Sequence, residues 1–159
     1  MKTRMILATM ALFLSMGMAQ ADVRDNGDLD RSEWEITTYS PKGKADNALD
    51  DDESTRWTSG IFQEKGDWVV VDMQTAQKFN EIELFQGTSV RDYPRGYEIY
   101  VSKDGENWGE AILKGVGTEG EKTVIKLPKA ANSRFLKIVQ TGVAKNWWSI
   151  HELYIRNVK

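Results

Sequence analysis

Apolar and polar residues alternate with a period of two along much of the chain, in short pieces separated by Gly, Asp and Pro. In residues 79–85, for example, Ile82 and Leu84 alternate with Glu81 and Glu83. Such alternation, rich in β-branched and aromatic residues, predicts strands. The predicted strands are residues 33–39, 68–72, 79–85, 97–102, 121–127, 134–140 and 150–158.

The segments between these strands carry turn signals, and helical patterns are scarce. After residue 21 no window has the period of an amphipathic helix, and at most one helical turn is expected, near residues 45–49. The Asp104 and Gly105 pair that follows the strand at 97–102 is a strong hairpin signal. Seven or eight short strands with frequent turns predict an all-β protein built as a β-sandwich. One domain is expected, over residues 33–159.

The first 21 residues differ in character from the rest. Lys2 and Arg4 precede an almost wholly apolar run over residues 5–18, and Ala19 and Ala21 flank a spacer. A basic start, an apolar run and a small-residue exit predict a secretory signal peptide, residues 1–21, cleaved near Ala21. The run is shorter than the roughly 20 residues of a membrane-spanning helix. The protein is therefore expected to be secreted or periplasmic, the alternative for this segment being a buried N-terminal helix.

The polar, acidic stretch over residues 22–32 links this segment to the domain. Its low apolar content predicts a short, poorly ordered leader, and a first loop of the domain is the alternative.

Composition narrows the possible functions. The chain has 159 residues, one His, no Cys and a formal net charge of −3. Residues 1–21 hold two basic residues and no acid, so the remaining 138 residues carry a net charge of −5. Without Cys there are no disulfides, thiolate nucleophiles or zinc–thiolate sites. The acidity disfavours nucleic acids and anionic membranes as partners, since both attract basic surfaces.

The most informative stretch is residues 47–57, NALDDDESTRW. It places the carboxylates of Asp50, Asp51, Asp52 and Glu53 side by side, where they repel one another unless a cation is near. Hard oxygen ligands on a tight loop suit Ca²⁺, although the spacing is not that of an EF-hand. Two alternatives remain at this point: a solvated acidic turn, and neutralisation of the acids by Arg56.

Five motifs occur in an order that resembles one known family. They are NALDDDESTRW at 47–57, DWVVVDM at 67–73, GYEIYVSKDGENW at 96–108, RFLKI at 134–138 and WSIHEL at 148–153. In this order they resemble the discoidin-like domain, also called the coagulation factor type C domain. The resemblance covers residues 34–159 and is closest in appearance to the bacterial carbohydrate-binding modules of family 32.

This resemblance implies an antiparallel, galactose-binding-domain-like jelly-roll β-sandwich of about eight strands with one structural Ca²⁺. Carried over by motif, the calcium ligands are Asp50, Asp52, Thr55 and Glu152, with a carbonyl from about Asn47. Asp51 stands where the family often has Gly, and Asp tolerates the left-handed conformation better than most residues do. A metal held in this way would tie the end of the chain to its early loop.

The resemblance also implies a non-catalytic, lectin-like module that binds a glycan or terminal sugar through loops at one end of the sandwich. The candidate ligand residues, chosen by chemistry and predicted loop location, are Arg91, Tyr93, Asn146 and Trp147. The alternative is that these are ordinary exposed residues. A second candidate function is extracellular adhesion through a cell-surface or secreted protein, because one fold hosts both uses.

Four other tryptophans, one tyrosine and the single His are expected to be structural. Trp57, Trp68, Trp108 and Trp148 match positions of structural aromatics in the family, and one of Tyr97 and Tyr100 is expected in the core. His151 is expected in the core or at its edge, the alternative being acid–base chemistry. No Ser or Asp is placed to complete a nucleophilic arrangement, so the chain is not expected to be an enzyme.

Overall fold

The computed structural model describes residues 26–159, and the expected signal peptide lies outside these residues. The described part contains eight strands and a 3-10 helix at Ala45–Ala48, which confirms the helical turn expected there. The strands are β1 (Glu35–Thr38), β2 (Trp57–Thr58), β3 (Trp68–Phe85), β4 (Tyr97–Ser102), β5 (Leu113–Gly115), β6 (Lys122–Gln140), β7 (Ser149–Ile150) and β8 (Glu152–Arg156). No helix in this part is long and apolar enough to cross a membrane.

Two long antiparallel strands, β3 and β6, run through the whole fold and pair with each other on both sides of a pair of register shifts. The first part of β3 and the second part of β6 join β1, β4 and β5 in one five-stranded layer. Beyond the shifts, β3 pairs with β8 on its other side, which gives a three-stranded layer. The expected antiparallel β-sandwich is confirmed, with a short β2–β7 ribbon at one end.

The sequence predicted the two halves of β3, at 68–72 and 79–85, as separate strands, and it divided β6 in the same way. In the structure each pair is one continuous strand. The β-sheet pairing shifts register where the alternation is interrupted, as at a β-bulge, and the strand continues beyond it. Gln74 has a φ of 62° at this irregularity. The prediction was wrong about continuity and right that residues 68–72, 79–85 and 134–140 lie in strands.

The core lies between the two layers and consists of inward-facing residues of every long strand. Trp57 and Trp148 are fully buried and meet edge to face, with ring centroids 5.5 Å apart. Trp68 and Trp108 are only partly buried, and the Lys137 ammonium lies near both rings. Of the four tryptophans expected to be structural, two therefore belong to the core and two are partly exposed. Tyr97 is buried and Tyr100 is not, in agreement with the predicted strand.

Residues 28–31 contradict the expectation of a poorly ordered leader. The Leu29 N–H donates to the Ile155 carbonyl at 3.0 Å, and Asp28 forms a bridge and an ion pair with Arg156. The side chains of Leu29 and Arg31 are buried. The low apolar content of residues 22–32 did not indicate this docking. One apolar side chain and two charged residues with partners on β8 are enough to fix a short segment.

Candidate functional site

Three loops meet at one end of the sandwich: residues 59–63, 89–95 and 142–148, here called the loop cluster. Gln63 joins them from a fully buried position. Its Nε2 donates to the carbonyls of Tyr93, at 3.1 Å, and Trp147, at 2.7 Å. Its backbone N–H is shared between the carbonyls of Ala144 and Asn146, both at 3.1 Å. One side chain thus fixes the spacing of the loops that carry the candidate ligand residues.

Arg95 lies across this cluster, partly buried. Its Nη1 donates to the Tyr93 carbonyl at 2.8 Å, and Nη2 donates to the Arg91 carbonyl at 2.9 Å and to Asn146 Oδ1 at 3.1 Å. The guanidinium stacks over the Tyr93 ring, 3.7 Å from its centroid. Within residues 26–159 no carboxylate forms an ion pair with it. Arg95 therefore offers a fixed positive charge with N–H groups to spare.

Exposed aromatic side chains flank this polar centre. Trp147 is 44% exposed and Phe62 is 56% exposed, and each is next in sequence to a residue that the hydrogen bonds hold in place. Asp92 anchors its own loop, since its Oδ2 accepts from Ser149 Oγ at 2.6 Å and its carbonyl accepts from the Ser149 N–H. A flat apolar ring beside fixed hydrogen-bonding groups is an arrangement suited to a small ligand with both apolar and polar faces.

The acidic loop over residues 47–56 folds around its own hydroxyl groups. Asp50 accepts from the Asp52 N–H at 3.0 Å and from Thr55 Oγ1 at 2.7 Å. Asp52 accepts from the N–H and the hydroxyl of Ser54, and these hydrogen bonds lower the pKa of its carboxyl group. Asn47 Nδ2 donates to the Arg56 carbonyl at 3.1 Å. Asp51 has a φ of 60°, the left-handed conformation expected at that position.

Glu152 lies on β8 and is completely buried. Its Oε2 is 2.7 Å from Arg31 Nη2, while neither of its oxygens has a hydrogen bond of regular geometry. The contact is therefore an ion pair without a well-directed hydrogen bond. Burial raises the pKa of Glu152 to about 7, against the attraction of Arg31. The cation that faces the acids is Arg31, which also contacts Asp51, rather than the exposed Arg56.

Comparison with known families gives one match over most of the chain. The model of the F5/8 type C domain matches residues 32–153. The chain belongs to the F5/8 type C domain family. This is the discoidin-like family that the motifs indicated, and residues 26–31 and 154–159 of the described structure lie outside the match.

Solved structures of family 32 carbohydrate-binding modules have the same fold as this F5/8 type C domain. CpGH89CBM32-5 of Clostridium perfringens, solved with GalNAc-β-1,3-galactose, superposes with a TM-score of 0.68 at 20% identity, over 81% of this chain and 99% of the other. The family 32 module of Clostridium perfringens NanJ, solved with galactose, also gives 0.68, at 18% identity over 81% and 97%. At such low identity the likeness shows the fold alone.

A longer protein is also similar to this F5/8 type C domain. Galactose oxidase of Gibberella zeae is 24% identical over 138 residues, which is 80% of this chain but 20% of that protein. The chain therefore spans about a fifth of the length of this curated relative.

The structure brings three of the four candidate ligand residues of the domain together. Tyr93, Asn146 and Trp147 all contact Gln63 or Arg95. Arg91 is exposed on the same loop and takes part only through its carbonyl. Sequence reasoning did not choose Arg95, although it lies in the same loop. It missed Gln63 because nothing in the local sequence marks a polar residue whose partners lie about 30 and 80 positions away.

The proposed calcium ligands form two groups, the oxygens of the acidic loop and Glu152 beneath it. Glu152 Oε1 is buried and accepts no hydrogen bond. All the proposed metal-ligand atoms are hard oxygens, so the residues fit the chemistry of Ca²⁺. Among residues 26–159, no three Asp, Glu, His or Cys side chains are grouped to hold a metal by themselves. A calcium ion here would need the Thr55 hydroxyl and backbone carbonyls as further ligands.

His151 is buried, as expected of a structural residue. Its Nδ1 lies 2.8 Å from the Glu53 carbonyl and its Nε2 lies 3.0 Å from Ser89 Oγ. Both ring nitrogens thus connect the acidic loop to the loop at residues 86–89. The sequence did not lead us to expect a Ser beside His151, but the Nδ1 partner is a backbone carbonyl, so no carboxylate completes a Ser–His–Asp arrangement.

Proposed function

We propose that this F5/8 type C domain is a non-catalytic carbohydrate-binding module that takes a sugar at the loop cluster. The observation that carries the proposal is an exposed Trp147 beside the Arg95–Asn146 pair, all held by the buried Gln63. Two family 32 modules of the same fold were solved with galactose or a galactose-containing disaccharide, which supports this choice.

The chemistry of the loop cluster divides between stacking and hydrogen bonding. The ring of Trp147 can cover the apolar C–H face of a pyranose. Asn146 Nδ2 has no partner within the described part of the chain, and Arg95 keeps N–H groups beyond those already bonded. Hydroxyl oxygens of a sugar can accept from these donors. Because a single sugar buries little area, we expect dissociation constants in the micromolar to millimolar range, which correspond to binding free energies on the order of −4 to −8 kcal/mol.

A glycan array followed by calorimetry with the best sugar tests this proposal. Trp147→Ala should weaken binding by about tenfold, because the stacking surface is lost, and should leave the melting temperature unchanged. Val143→Ala is the matched control, since Val143 is exposed in the same loop, and we expect no effect on affinity. An array without any binding sugar would contradict the proposal.

Protein–protein adhesion is a second candidate, favoured by exposed apolar side chains at the same end. Phe62 and Val143 are 56% and 67% exposed, and exposed apolar side chains at one end of a domain are typical of protein interaction surfaces. A pull-down that recovers one protein stoichiometrically, with a blank glycan array, would favour this function over the first.

We also propose that Asp50, Asp52, Thr55, Glu152 and a carbonyl near Asn47 hold a structural Ca²⁺. Such an ion would join β8 to the acidic loop and so stabilise the folded state. The melting temperature should rise with CaCl₂ relative to a chelator, and the rise should disappear in Asp50→Ala. An equal melting temperature in both buffers would contradict the proposed calcium site.

Export is the last element of the proposal. A signal peptide over residues 1–21 predicts that the exported protein begins near Asp22, which N-terminal sequencing of secreted material measures directly. Retention of Met1 in that material would contradict it.

A further inference from the structure

Arg31 is the only Arg or Lys within residues 26–159 whose side chain is buried, and it lies beneath the acidic loop. Its side chain is 4% exposed. Nη1 donates to the Leu153 carbonyl at 2.8 Å, while Nη2 lies 2.6 Å from Asp51 Oδ1 and 2.7 Å from Glu152 Oε2. The guanidinium also packs over the Tyr154 ring, 4.4 Å from its centroid. The buried guanidinium therefore contacts two carboxylates, a carbonyl and an aromatic face.

This residue comes from outside the part of the chain that the family model matches, residues 32–153. Residues 28–31 are held against β8 by the contacts of Leu29 with Ile155 and of Asp28 with Arg156, which bring Arg31 to Glu152. Arginine keeps its positive charge at any physiological pH. The N-terminal segment therefore carries a permanent cation to the same buried carboxylate that the calcium proposal uses.

We propose that Arg31 is the resident counter-cation of Glu152, and that it performs part of the task of a structural metal. It neutralises a fully buried carboxylate, which would be costly to bury alone. It also joins residues 31, 51 and 152, so that the N-terminal segment, the acidic loop and the last strand are held at one point. The consequence is that bound calcium adds less stability to this domain than it would add without Arg31.

A double-mutant cycle tests the first half of this inference without reference to calcium. Arg31→Gln, Glu152→Gln and the double variant are melted in the presence of a chelator. Arg31→Gln should lower the melting temperature on the order of 10 °C, because it leaves a buried charge without its partner. The double variant should lose clearly less than the sum of the single losses. Additive losses would overturn the proposal.

Two further variants separate charge from packing. Arg31→Lys keeps the positive charge and most of the stem, so it should recover part of the stability lost in Arg31→Gln. Equal melting temperatures for the two would assign the loss to packing on Tyr154 and overturn the counter-cation role. Arg56→Gln is the control, since Arg56 is an exposed cation of the same loop, and its melting temperature should stay close to that of the wild type.

The second half is tested by adding CaCl₂ to the wild type and to Arg31→Gln. The increase in melting temperature should be larger in Arg31→Gln, in which calcium no longer shares Glu152 with a guanidinium. An equal, nonzero increase in both proteins would overturn the predicted competition. If CaCl₂ changes the melting temperature of neither protein, the calcium proposal and the predicted competition are both wrong. The double-mutant cycle still decides the role of Arg31.

Discussion

At Asp72, one side chain supports the passage of β3 from one layer of the sandwich to the other. Its carboxylate accepts two hydrogen bonds from the Arg134 guanidinium, both 2.7 Å long, and a third from the Gln74 N–H at 2.8 Å. Gln74 has a φ of 62°, which is unfavourable for a residue with a Cβ atom. Asp72 thus stabilises the irregular backbone that the bend of β3 requires.

The Asp72 ion pair makes the stability of the domain depend on pH. The hydrogen bond from Arg134 holds the pKa of the Asp72 carboxyl group below its usual value. Since the folded-state pKa is lowered, the stabilisation is complete above the unfolded pKa, near 4, and is lost as the pH falls through the folded pKa. We expect a small contribution, because Arg134 is partly exposed and water screens the pair.

Urea denaturation of the wild type and of Asp72→Asn at pH 6 and pH 3 measures this contribution. Asp72→Asn should be less stable at pH 6, and the difference should shrink at pH 3, which lies below the unfolded-state pKa of the carboxyl group. A difference of the same size at both pH values would show that charge is not responsible.

The conformations of some single residues could be predicted from the sequence, whereas the roles of others could not. Asp51 could be expected in a left-handed conformation because the family often has Gly there, and its φ of 60° agrees. Gly105 follows Asp104 in the predicted turn and has a φ of 78°. Arg31 and Gln63 could not be found in this way, because their roles depend on partners that only the tertiary fold brings near.

At the scale of elements, the loop cluster depends on Gln63 more than on any strand. The side chain hydrogen-bonds with Gln140, its Oε1 accepts from the Arg95 N–H, and its Nε2 donates to two loop carbonyls. Gln140 in turn accepts from the N–H groups of Gly96 and Gly142. The ends of β4 and β6 are thereby connected to the candidate ligand loops through two glutamines.

Gln63→Ala should lower the free energy of unfolding by about 2–4 kcal/mol, because several buried donors and acceptors lose their partner. Urea denaturation measures this loss, and calorimetry should show weaker sugar binding in the folded fraction. Gln77→Ala is the control, since its side chain bonds only to Thr75, two residues away, and we expect a change below about 0.5 kcal/mol. A Gln63→Ala protein as stable as that control would contradict the assigned role.

Elements were predicted where alternation was regular and missed where pairing was brief. The strand at Tyr97–Ser102 was predicted with its observed bounds, because every second residue faces the core. The short strands β2, β5 and β7 have two or three residues each, too few to show any period. The continuity of β3 through Gln74 could not be predicted, since a bulge interrupts the alternation on which the prediction rests.

At the scale of the whole molecule, the two ends of the described chain are held together by charge. Arg156 binds Asp28 and Glu83, and Arg31 binds Glu152, so the N-terminal segment and the last strand form one ion-paired surface. The net charge does not indicate these ion pairs, because a sum does not show which charged residues are in contact. The order of the five motifs, by contrast, indicated the family and the sandwich from the sequence alone.

An NMR titration of the ¹⁵N-labelled domain with galactose, and with the sugars selected by a glycan array, shows directly whether the loop cluster binds sugar. Binding there should give saturable shifts of the Trp147 indole N–H and the Asn146 side-chain amide, with backbone shifts confined to the loop cluster. The half-exposed Trp68 and Trp108 indoles on the sheet face serve as internal controls and should not move. Shifts centred on those two rings, or no shift at the loop cluster with any sugar, would contradict the proposed site.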